Sequence, residues 1–516
     1  MVKNLQDHEA LANAMMNVDR WPQGGGQRKR IDTHISTVIL AGDQAFKFKK
    51  PVDLGFLDFV SMESRRHACE EELRLNRRLA PQIYQAVVPI TGSIDAPRMD
   101  GEGPAIDWAV QMRRFDPDAL LSNPQIELNT SLVRKLAGSI ADFHQSTSTD
   151  CDAYGMPEDA HAAMQANFEE LTQQQQDSEQ LRRLANWTES RYTHLRALMA
   201  HRWRVGRVRE CHGDLHLGNI ALINGEPLIF DAIEFNPHLR WVDTISDIAF
   251  LTMDLHHRGR GDLAYTLLDR YLQDTGDYEG LDLLRLFETY RALVRAKVAA
   301  IRLSQPQLAD DQRQAVQQEI DSYIALADKL AKQQTPGIVI THGVSGSGKS
   351  HVSQALPEQL PGIRIRSDVE RKRLLALDAS ESASELDGYS RTMTEQTYAR
   401  LYALAETICR NGLIAIVDAT FLNRDYRDRF RKLAERVSAP FAIIDCQAPL
   451  DVLQRRIEKR QEEAVDASDA DSQIMLQQRH SRQPLAPQEK QDALVYSPDK
   501  PLVFEELLTK LGLDRQ

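Results

Sequence analysis

The segment Gly343–Ser350, with the sequence GVSGSGKS, restricts the fold of this chain more than any other feature. It follows the apolar run IVITH at 338–342 and matches the pattern G-x-x-x-x-G-K-[ST]. Glycines let backbone N–H groups curl around phosphates, and the N-terminus of the helix that follows attracts anions. The pattern therefore predicts a phosphate-binding loop between a strand and a helix. The alternative is a Gly/Ser-rich turn that only links the two.

We expect this loop to bind ATP, with the Lys349 ammonium on the β- and γ-phosphates and the Ser350 hydroxyl on Mg²⁺. The loop residues are Gly343, Val344, Ser345, Gly346, Ser347, Gly348, Lys349 and Ser350. Further predicted strands occur at 363–366 (IRIR), 413–417 (LIAIV) and 441–445 (FAIID), separated by helical stretches. Buried strands that alternate with helices predict an α/β P-loop NTPase domain with a parallel sheet at 337–516.

Two acids follow strands of this predicted sheet, where side chains line the ligand crevice. Asp418 ends the run LIAIVD, where it would position Mg²⁺, and Asp368 follows IRIRS, where it would accept a proton from an acceptor hydroxyl. An alternative role for Asp368 is that of a helix N-cap. Arg456 and Arg460 are four residues apart, on one helical face, and would close over the phosphates. The alternative for them is a solvated charged face.

A second set of candidate residues lies in the segment CHGDLHLGN at 211–219. Asp214 and Asn219 have the same spacing as the Asp and Asn of the kinase pattern H-R-D-x-x-x-x-N. Asp214 would deprotonate an acceptor hydroxyl and Asn219 would hold Mg²⁺. Asp231, in the predicted strand PLIFDAIEF at 227–235, supplies a second metal-binding acid. The alternative is a hydrogen-bonded turn rich in Asn and Asp.

A cation for the phosphates of this second site comes from the predicted strand AFKFKK. Lys47 and Lys49 share one strand face, and either would contact phosphate with Glu72 as its partner. Alternatively, the lysines protect a sheet edge and Glu72 is solvated. The run THISTVIL at 33–40, the turn signal Gly42-Asp43 and AFKFKK predict a hairpin, which contains no G-x-G-x-x-G pattern. Strands followed by helices predict an α+β domain at 1–330, and the polar stretch 331–336 predicts a linker.

Composition excludes several classes of protein. The 63 basic and 75 acidic residues give a net charge of −12, which argues against duplex-DNA binding. The apolar runs are strand-sized, shorter than the ~18 residues of a membrane span, and the first residues lack the apolar core of a signal peptide. Five scattered cysteines without a C-x-x-C pair indicate neither a disulfide framework nor a zinc site. We therefore expect a cytoplasmic protein without a membrane partner.

Residues 337–516 resemble the P-loop kinase-like ATPases, which include polynucleotide kinases, zeta toxins and gluconate kinases. The motifs that carry the resemblance are GVSGSGKS, IRSDVERKR, IVDATFLNR and QRRIEKR. The resemblance implies that Asp368 activates the acceptor hydroxyl and that Arg456 or Arg460 is the lid arginine. It leaves the acceptor open, because these relatives phosphorylate diverse substrates.

Roughly residues 30–300 resemble the aminoglycoside phosphotransferase and choline kinase superfamily, whose fold is protein-kinase-like. The motifs are DTHIS, FKFKKPV, FLDF, EELRLNRRLAP, CHGDLHLGNI and IFDAIEFN. They are similar to one bacterial subgroup, labelled bifunctional aminoglycoside phosphotransferase/ATP-binding proteins, in which this domain precedes a P-loop ATPase domain. The resemblance implies the same two-domain order here.

Together these observations predict an enzyme with two candidate sites for ATP- and Mg²⁺-dependent phosphoryl transfer to a hydroxyl of a small molecule or nucleotide. A first alternative is an ATP-hydrolysing regulatory protein whose kinase-like half binds a ligand or partner. A second alternative is a kinase of RNA or DNA ends, which the likeness to polynucleotide kinases and the basic run at 371–373 suggest.

Overall fold

The structure is a computed structural model that describes residues 1–17, 21, 28–55, 57–151, 153–175, 178–304, 308–377, 390–463 and 472–513, with the backbone alone at 175 and 460–463. The chain forms two compact units. Unit 1 comprises Met1–Asp254 and Leu286–Ile324, and unit 2 comprises Leu255–Arg285 and Ala325–Gln516. Unit 2 thus includes residues on both sides of the linker predicted at 331–336, and the domain boundaries stay a prediction.

The elements up to residue 257 are antiparallel strands and helices. The strands are β1 (Arg28–Asp32), β2 (Ser36–Ala41), β3 (Gln44–Lys49), β4 (Tyr84–Gly92), β5 (Pro97–Met99), β6 (Ala105–Arg113), β7 (Val208–Glu210), β8 (Ile220–Ile223), β9 (Glu226–Ile229) and β10 (Trp241–Asp243). The helices are α1 (Leu5–Ala14), α2 (Met62–Asn76), α3 (Thr130–Ser146), α4 (Pro157–Gln175), α5 (Glu179–Arg204), α6 (Pro237–Arg240) and α7 (Thr244–His257).

A six-stranded antiparallel sheet in the order β1-β2-β3-β6-β4-β5 forms one part of unit 1. The predicted hairpin is confirmed: β2 and β3 are joined by Gly42-Asp43, with Gly42 at a φ of 64°. Two small antiparallel pairs, β7 with β10 and β8 with β9, accompany the helices that follow. This arrangement confirms the predicted α+β, protein-kinase-like fold.

Alternation along β3 divides its side chains between two faces of the sheet. Phe46 and Phe48 pack into an apolar cluster with Leu11 and Met15 at α1. Lys47 and Lys49 therefore project from the opposite face, where both pair with Glu72 of α2. The strand thus places both lysines next to the same residue of α2, Glu72.

The strand predicted at 227–235 is shorter than expected. Strand β9 ends at Ile229, and Asp231 has a φ of 64°. A positive φ at a residue other than glycine is incompatible with continued strand pairing. The predicted extension through Asp231 is therefore wrong, and this residue lies in an irregular segment.

The remaining elements are largely those of unit 2. The helices are α8 (Gly261–Thr275), α9 (Leu281–Leu303), α10 (Asp310–Ala331), α11 (Lys349–Ala355), α12 (Ser367–Leu374), α13 (Arg391–Arg410), α14 (Arg424–Arg436), α15 (Leu450–Glu463), α16 (Ser472–Ser481), α17 (Glu489–Asp492) and α18 (Phe504–Lys510). The strands are β11 (Gly337–His342), β12 (Gly362–Arg366), β13 (Ile414–Asp418), β14 (Phe441–Cys446) and β15 (Ala493–Tyr496).

These strands form a parallel sheet in the order β12-β13-β11-β14-β15, which confirms the predicted α/β fold. Strand β11 is buried along its whole length at the centre of the sheet. The register of β12 and β13 places Arg366 opposite Asp418. Because the carboxyl ends of parallel strands share one sheet edge, the segments after β11, β12 and β13 emerge together.

No helix in the described part of the chain combines the length and apolar character that crossing a bilayer requires.

A buried ion pair tests the packing of unit 1. Arg65 and Asp107 are both fully buried, and the Arg65 Nε donates to Asp107 Oδ1 at 2.9 Å. The substitution Asp107→Ala leaves the Arg65 charge buried without its carboxylate partner, so we expect a loss of about 3–5 kcal/mol in the free energy of unfolding. All five tryptophans of the chain lie in the Met1–Asp254 segment, so tryptophan fluorescence during urea denaturation reports on unit 1.

The matched control for this measurement is Glu70→Ala, which removes the exposed i,i+4 pair with Arg66 on α2. This variant should change the free energy of unfolding by less than about 0.5 kcal/mol. Equal losses in Asp107→Ala and Glu70→Ala would show that the buried pair does not stabilise unit 1.

Candidate active sites

The glycine-rich loop of unit 2 joins the central strand to a helix, as predicted. Strand β11 ends at His342, and α11 begins at Lys349 with Gly348 in the N-cap position. Gly348 has a φ of 99°, and a Cβ there would lie 3.0 Å from the Tyr496 ring and 3.2 Å from Arg456. Both the backbone conformation and the available space therefore require glycine at this position.

The loop lies at a cavity of about 500 Å³ in unit 2. The predicted site residues that line it are Ser345, Gly346, Gly348, Lys349, Ser350, Asp368, Asp418 and Arg456. Gly343, Val344 and Ser347 do not line it; Val344 packs against Leu453 and Ile457 of α15. The side chain of Arg460 lies outside the described residues. One cavity thus collects most of the groups that the sequence assigned to phosphate binding.

Polar contacts fix the loop and its cations. The Lys349 Nζ donates to the Val344 carbonyl at 2.8 Å, and the Arg456 guanidinium donates to the Gly346 carbonyl at 3.2 Å. The side-chain oxygen of Gln478 on α16 accepts from the Ser345 N–H at 2.8 Å. Helices α15 and α16 are therefore tied to the loop by hydrogen bonds as well as by apolar packing.

Asp368 lies in the first turn of α12, where Arg366 occupies the N-cap position without a side-chain cap. The interpretation of Asp368 as a helix cap is therefore wrong. Its carboxylate instead accepts from the Arg371 guanidinium at 2.7 Å, and both side chains face the cavity. A carboxylate held beside a cation at the cavity wall can meet an acceptor hydroxyl.

A strained turn at Phe421 lies next to the glycine-rich loop, since the Gly343 N–H donates to the Thr420 carbonyl at 3.1 Å. Phe421 is fully buried with a φ of 46°, a conformation that costs on the order of 1–3 kcal/mol in a residue with a side chain. Its N–H donates to the Tyr398 hydroxyl at 3.0 Å, and its carbonyl accepts from the Arg427 guanidinium at 2.9 Å. The surrounding side chains thus hold a turn whose neighbours Thr420 and Asn423 line the cavity.

The residues present suit a phosphate and a magnesium ion. Among the described residues, the buried Ser347 hydroxyl in the loop has no hydrogen-bond partner. The Ser350 hydroxyl and the Asp418 carboxylate both line the cavity, and oxygen ligands are those that Mg²⁺ prefers. Asp418 Oδ2 is also held by the Ser353 hydroxyl at 3.0 Å. The donor set therefore fits the predicted role of this site.

The second candidate site, in unit 1, is built on a loop held by a buried carboxylate. Asp247 of α7 accepts from the backbone N–H of His212 at 3.1 Å and of Gly213 at 2.8 Å. It also pairs with the buried His144 at 3.1 Å. The Gly213 carbonyl accepts from Arg291 at 3.0 Å, so the residues before Asp214 are fixed on both sides.

Asp214 and Asn219 lie together, as the sequence predicted. The Asn219 amide donates to the Asp214 carboxylate at 3.0 Å and to its carbonyl at 2.9 Å. His216 lies 3.4 Å from the same carboxylate. Burial alone would raise the pKa of Asp214, but the nearby His216 ring and Arg295 outweigh it and lower the pKa below its ordinary value. Asp214 is therefore ionised at neutral pH while 35% of its side chain remains exposed.

The two predicted lysines occupy different positions in one network of charges. Lys47 pairs with Glu72 at 2.9 Å and with Asp231 at 2.6 Å, and its side chain is 12% exposed. Lys49 is fully buried between Glu72 and Glu234. Although burial lowers the pKa of Lys47, the Asp231 and Glu72 carboxylates raise it well above its ordinary value. Lys47 is therefore the charged lysine beside the predicted metal-binding acid.

Side chains from the sheet and from α2 hold the backbone around Asp231. Its N–H donates to the Tyr84 hydroxyl at 3.2 Å, and the next N–H, that of Ala232, donates to Asn76 at 2.8 Å. The buried His212 ring contacts the Phe230 carbonyl at 2.9 Å. These contacts maintain the positive φ of Asp231 and direct it toward Lys47.

Sequence reasoning missed the residues that hold these loops. Asp247 had one available signal, since it is an acid inside the apolar helical segment TISDIAFL, and buried acids need partners. Arg295, within the apolar stretch ALVRAKVAA, had the same kind of signal, whereas Gln478 had none, because polar residues on polar helical stretches are common. Their roles depend on contacts with residues distant in sequence.

Comparison with known proteins identifies the family. An uncharacterized protein of Mycobacterium tuberculosis is 31% identical over 455 residues, which cover 86% of this chain and 88% of that protein. A model of the phosphotransferase enzyme family matches residues 52–287, and an AAA domain model matches residues 338–485. The chain belongs to the bacterial two-domain family that joins an aminoglycoside phosphotransferase-like domain to a P-loop kinase-like ATPase domain. Both domains support a phosphotransferase function.

Individual members of related families match parts of this two-domain protein. The adenylyl-sulfate kinase of Myxococcus xanthus is 34% identical over 114 residues, or 22% of this chain and 57% of that protein. A putative aminoglycoside phosphotransferase from Ralstonia eutropha is 13% identical and covers 63% of this chain and 98% of its own, with a TM-score of 0.36. A gluconokinase from Sinorhizobium meliloti is 21% identical and covers 35% of this chain and 94% of its own, with a TM-score of 0.26.

The loop-holding carboxylate of unit 1 predicts a pH dependence of stability. Burial alone would raise the pKa of Asp247, but the hydrogen bond and charge of His144 lower it to about 2. Because this lies below the value of about 3.9 in unfolded chains, Asp247 stabilises unit 1 by roughly 2 kcal/mol above about pH 4 and loses that contribution as the pH falls toward 2. In Asp247→Asn this dependence should disappear.

The measurement is urea denaturation by tryptophan fluorescence at pH 6 and pH 3. We expect the stability difference between the natural protein and Asp247→Asn to shrink by about 1 kcal/mol between these conditions. Asp142→Asn, a change at an exposed acid of α3, serves as the control and should show no such trend. A difference that stays constant with pH would contradict the assignment.

Proposed function

We propose that this protein is an ATP- and Mg²⁺-dependent phosphotransferase with two transfer sites, each moving a γ-phosphate to a hydroxyl of a small molecule or nucleotide. The observation that carries the proposal is the cavity of unit 2. It brings the glycine-rich loop, Lys349, Ser350 and two strand-end acids to one space of about 500 Å³. Such a set provides phosphate binding, metal binding and a proton acceptor together.

In unit 2, the backbone of the loop and Lys349 bind the donor phosphates, while Ser350 and Asp418 hold Mg²⁺. The metal, when bound, neutralises charge on the phosphates. Asp368 accepts the proton of the acceptor hydroxyl. At the same time the hydroxyl oxygen forms a bond to the γ-phosphorus, and the bond between that phosphorus and the departing ADP breaks. Arg371 and Arg456 stabilise the charge that spreads over the transferred group.

In unit 1, Asp214 orients and deprotonates the acceptor hydroxyl, and Asn219 and Asp231 are the residues that would hold the metal. Of the two lysines we assign phosphate binding to Lys47, because it is partly exposed and lies 2.6 Å from Asp231. Lys49 is enclosed by Glu72 and Glu234 and keeps Glu72 in place.

One feature favours a second candidate for unit 1, a ligand-binding module with regulatory function. The connection between β1 and β2 is the short segment 33–35, with the sequence THI. It offers no glycine to cover donor phosphates. If unit 1 only binds a ligand, transfer should depend on unit 2 alone.

The first test replaces the proposed base of unit 2 in a protein whose unit 1 base is already removed by Asp214→Asn. Adding Asp368→Asn should lower the rate of γ-phosphate transfer by about 10²–10⁴ because no group accepts the proton. ADP affinity should stay within about twofold, since the loop is unchanged. Transfer is measured with γ-labelled ATP and a desalted metabolite and RNA extract, and affinity by titration calorimetry.

Asp425→Asn is the matched control, because Asp425 occupies the same position in the first turn of α14 that Asp368 occupies in α12. It is exposed and should leave the transfer rate unchanged. Undiminished transfer in Asp368→Asn would disprove the role of Asp368. Label released only as inorganic phosphate in every variant would instead support the regulatory ATPase.

The second test concerns unit 1 and uses a Lys349→Ala background, which disables the loop of unit 2. The remaining transfer should fall by at least about 10² in Asp214→Asn. Because the pKa of Asp214 is lowered, its ionisation should impose no loss of rate between about pH 7 and pH 5. If the Lys349→Ala protein itself shows no measurable transfer, unit 1 is the ligand-binding module of the second candidate function.

A further inference from the structure

Helix α8 covers an edge of the parallel sheet in unit 2. Strand β12 is the terminal strand of that sheet and pairs with β13 on one side. The other side of an edge strand presents backbone groups that need partners when they are buried. Helix α8 packs against β12 within the same unit. This helix comes from the segment Leu255–Arg285, which precedes the sheet by some distance along the chain.

A carboxylate of α8 supplies the missing acceptor. Asp269 Oδ1 accepts from the backbone N–H of Arg364, in the middle of β12, at 2.6 Å. Both residues are buried. A charged acceptor on a buried backbone donor makes a strong and directional hydrogen bond. The position of β12 is therefore fixed by α8 as well as by β13.

Gln273 extends this contact to the glycine-rich loop. Its side-chain nitrogen donates to Asp269 Oδ2 at 2.9 Å, and its side-chain oxygen accepts from the Arg364 guanidinium at 3.3 Å. The same guanidinium donates to the Ser350 carbonyl at 3.3 Å. Two hydrogen bonds through Arg364 thus connect α8 to the residue whose hydroxyl faces the cavity.

The helix that carries Asp368 is held by the same segment. Arg373 of α12 donates to the Gln273 carbonyl at 2.7 Å and pairs with Glu370 on its own helix. Helix α12 begins directly after β12, so the strand fixes its first turn and Gln273 fixes its last. Asp368 lies in the first of these turns.

We propose that Asp269 and Gln273 are positioning residues of the P-loop site, which hold Ser350 and Asp368 in the geometry that metal binding and phosphoryl transfer require. The proposal rests on the proposed function of unit 2. It assigns a role in the P-loop chemistry to a helix that lies within the segment matched by the phosphotransferase family model, at 52–287.

The test uses the full-length chain carrying Asp214→Asn, which removes transfer by unit 1, and measures how strongly Mg²⁺ increases ADP affinity, by calorimetry with and without the metal. This ratio depends on the placement of Ser350, whereas general loss of packing would weaken both affinities alike. We expect Asp269→Ala and Gln273→Ala to reduce the ratio by about tenfold and to slow transfer similarly. Asp269→Asn should restore part of it, because its amide oxygen can still accept from the Arg364 N–H while its amide nitrogen cannot accept from Gln273.

Arg270→Gln is the matched control on the exposed side of α8, where Arg270 pairs with Asp274, and it should behave as the natural protein does. The proposal would be overturned if Gln273→Ala kept the Mg²⁺ dependence of ADP affinity and the transfer rate of the unsubstituted protein. This holds even if Asp269→Ala failed to fold. If Lys349→Ala left ADP binding unchanged, the proposed function of unit 2 would itself be wrong, and the positioning role would fall with it.

Discussion

Buried backbone N–H groups need acceptors, and in each unit an aspartate from a helix satisfies those next to a candidate site. Asp247 accepts from His212 and Gly213 in unit 1, and Asp269 accepts from Arg364 in unit 2. The placement of the proposed bases therefore depends on carboxylates that do not face either site's substrate.

In the proposed function the two sites hold phosphate by different means, and this difference explains why the site of unit 2 has the clearer sequence motif. In unit 2 the loop backbone would bind the phosphates, so glycine is required at a positive φ such as that of Gly348. In unit 1 the cation is a side chain, and strand alternation places Lys47 and Lys49 equivalently. Only the three-dimensional positions of Asp231 and Glu234 distinguish them, because one acid lies beside each lysine.

Sequence reasoning predicted the elements with a strong local pattern and missed those fixed by distant partners. Four of the parallel strands and the hairpin were predicted from strand patterns and a Gly-Asp turn, whereas the edge strand β15 was missed. The end of β9 was not, because Asp231 is turned out of the strand by Tyr84 and Asn76, which are far away in the chain. Asp269 left no signal for the same reason: it lies on an ordinary amphipathic helix, and its partner Arg364 is 95 residues away.

The same stretch of chain, α7 followed by α8, supplies in each unit the carboxylate that accepts these backbone N–H groups. The AAA family model begins at residue 338, after this stretch, whereas the compact unit that contains the glycine-rich loop includes Leu255–Arg285. A sheet edge closed by Asp269 is thus completed only when the preceding segment is present. Without that segment, the edge strand before Asp368 would present a buried N–H without its acceptor.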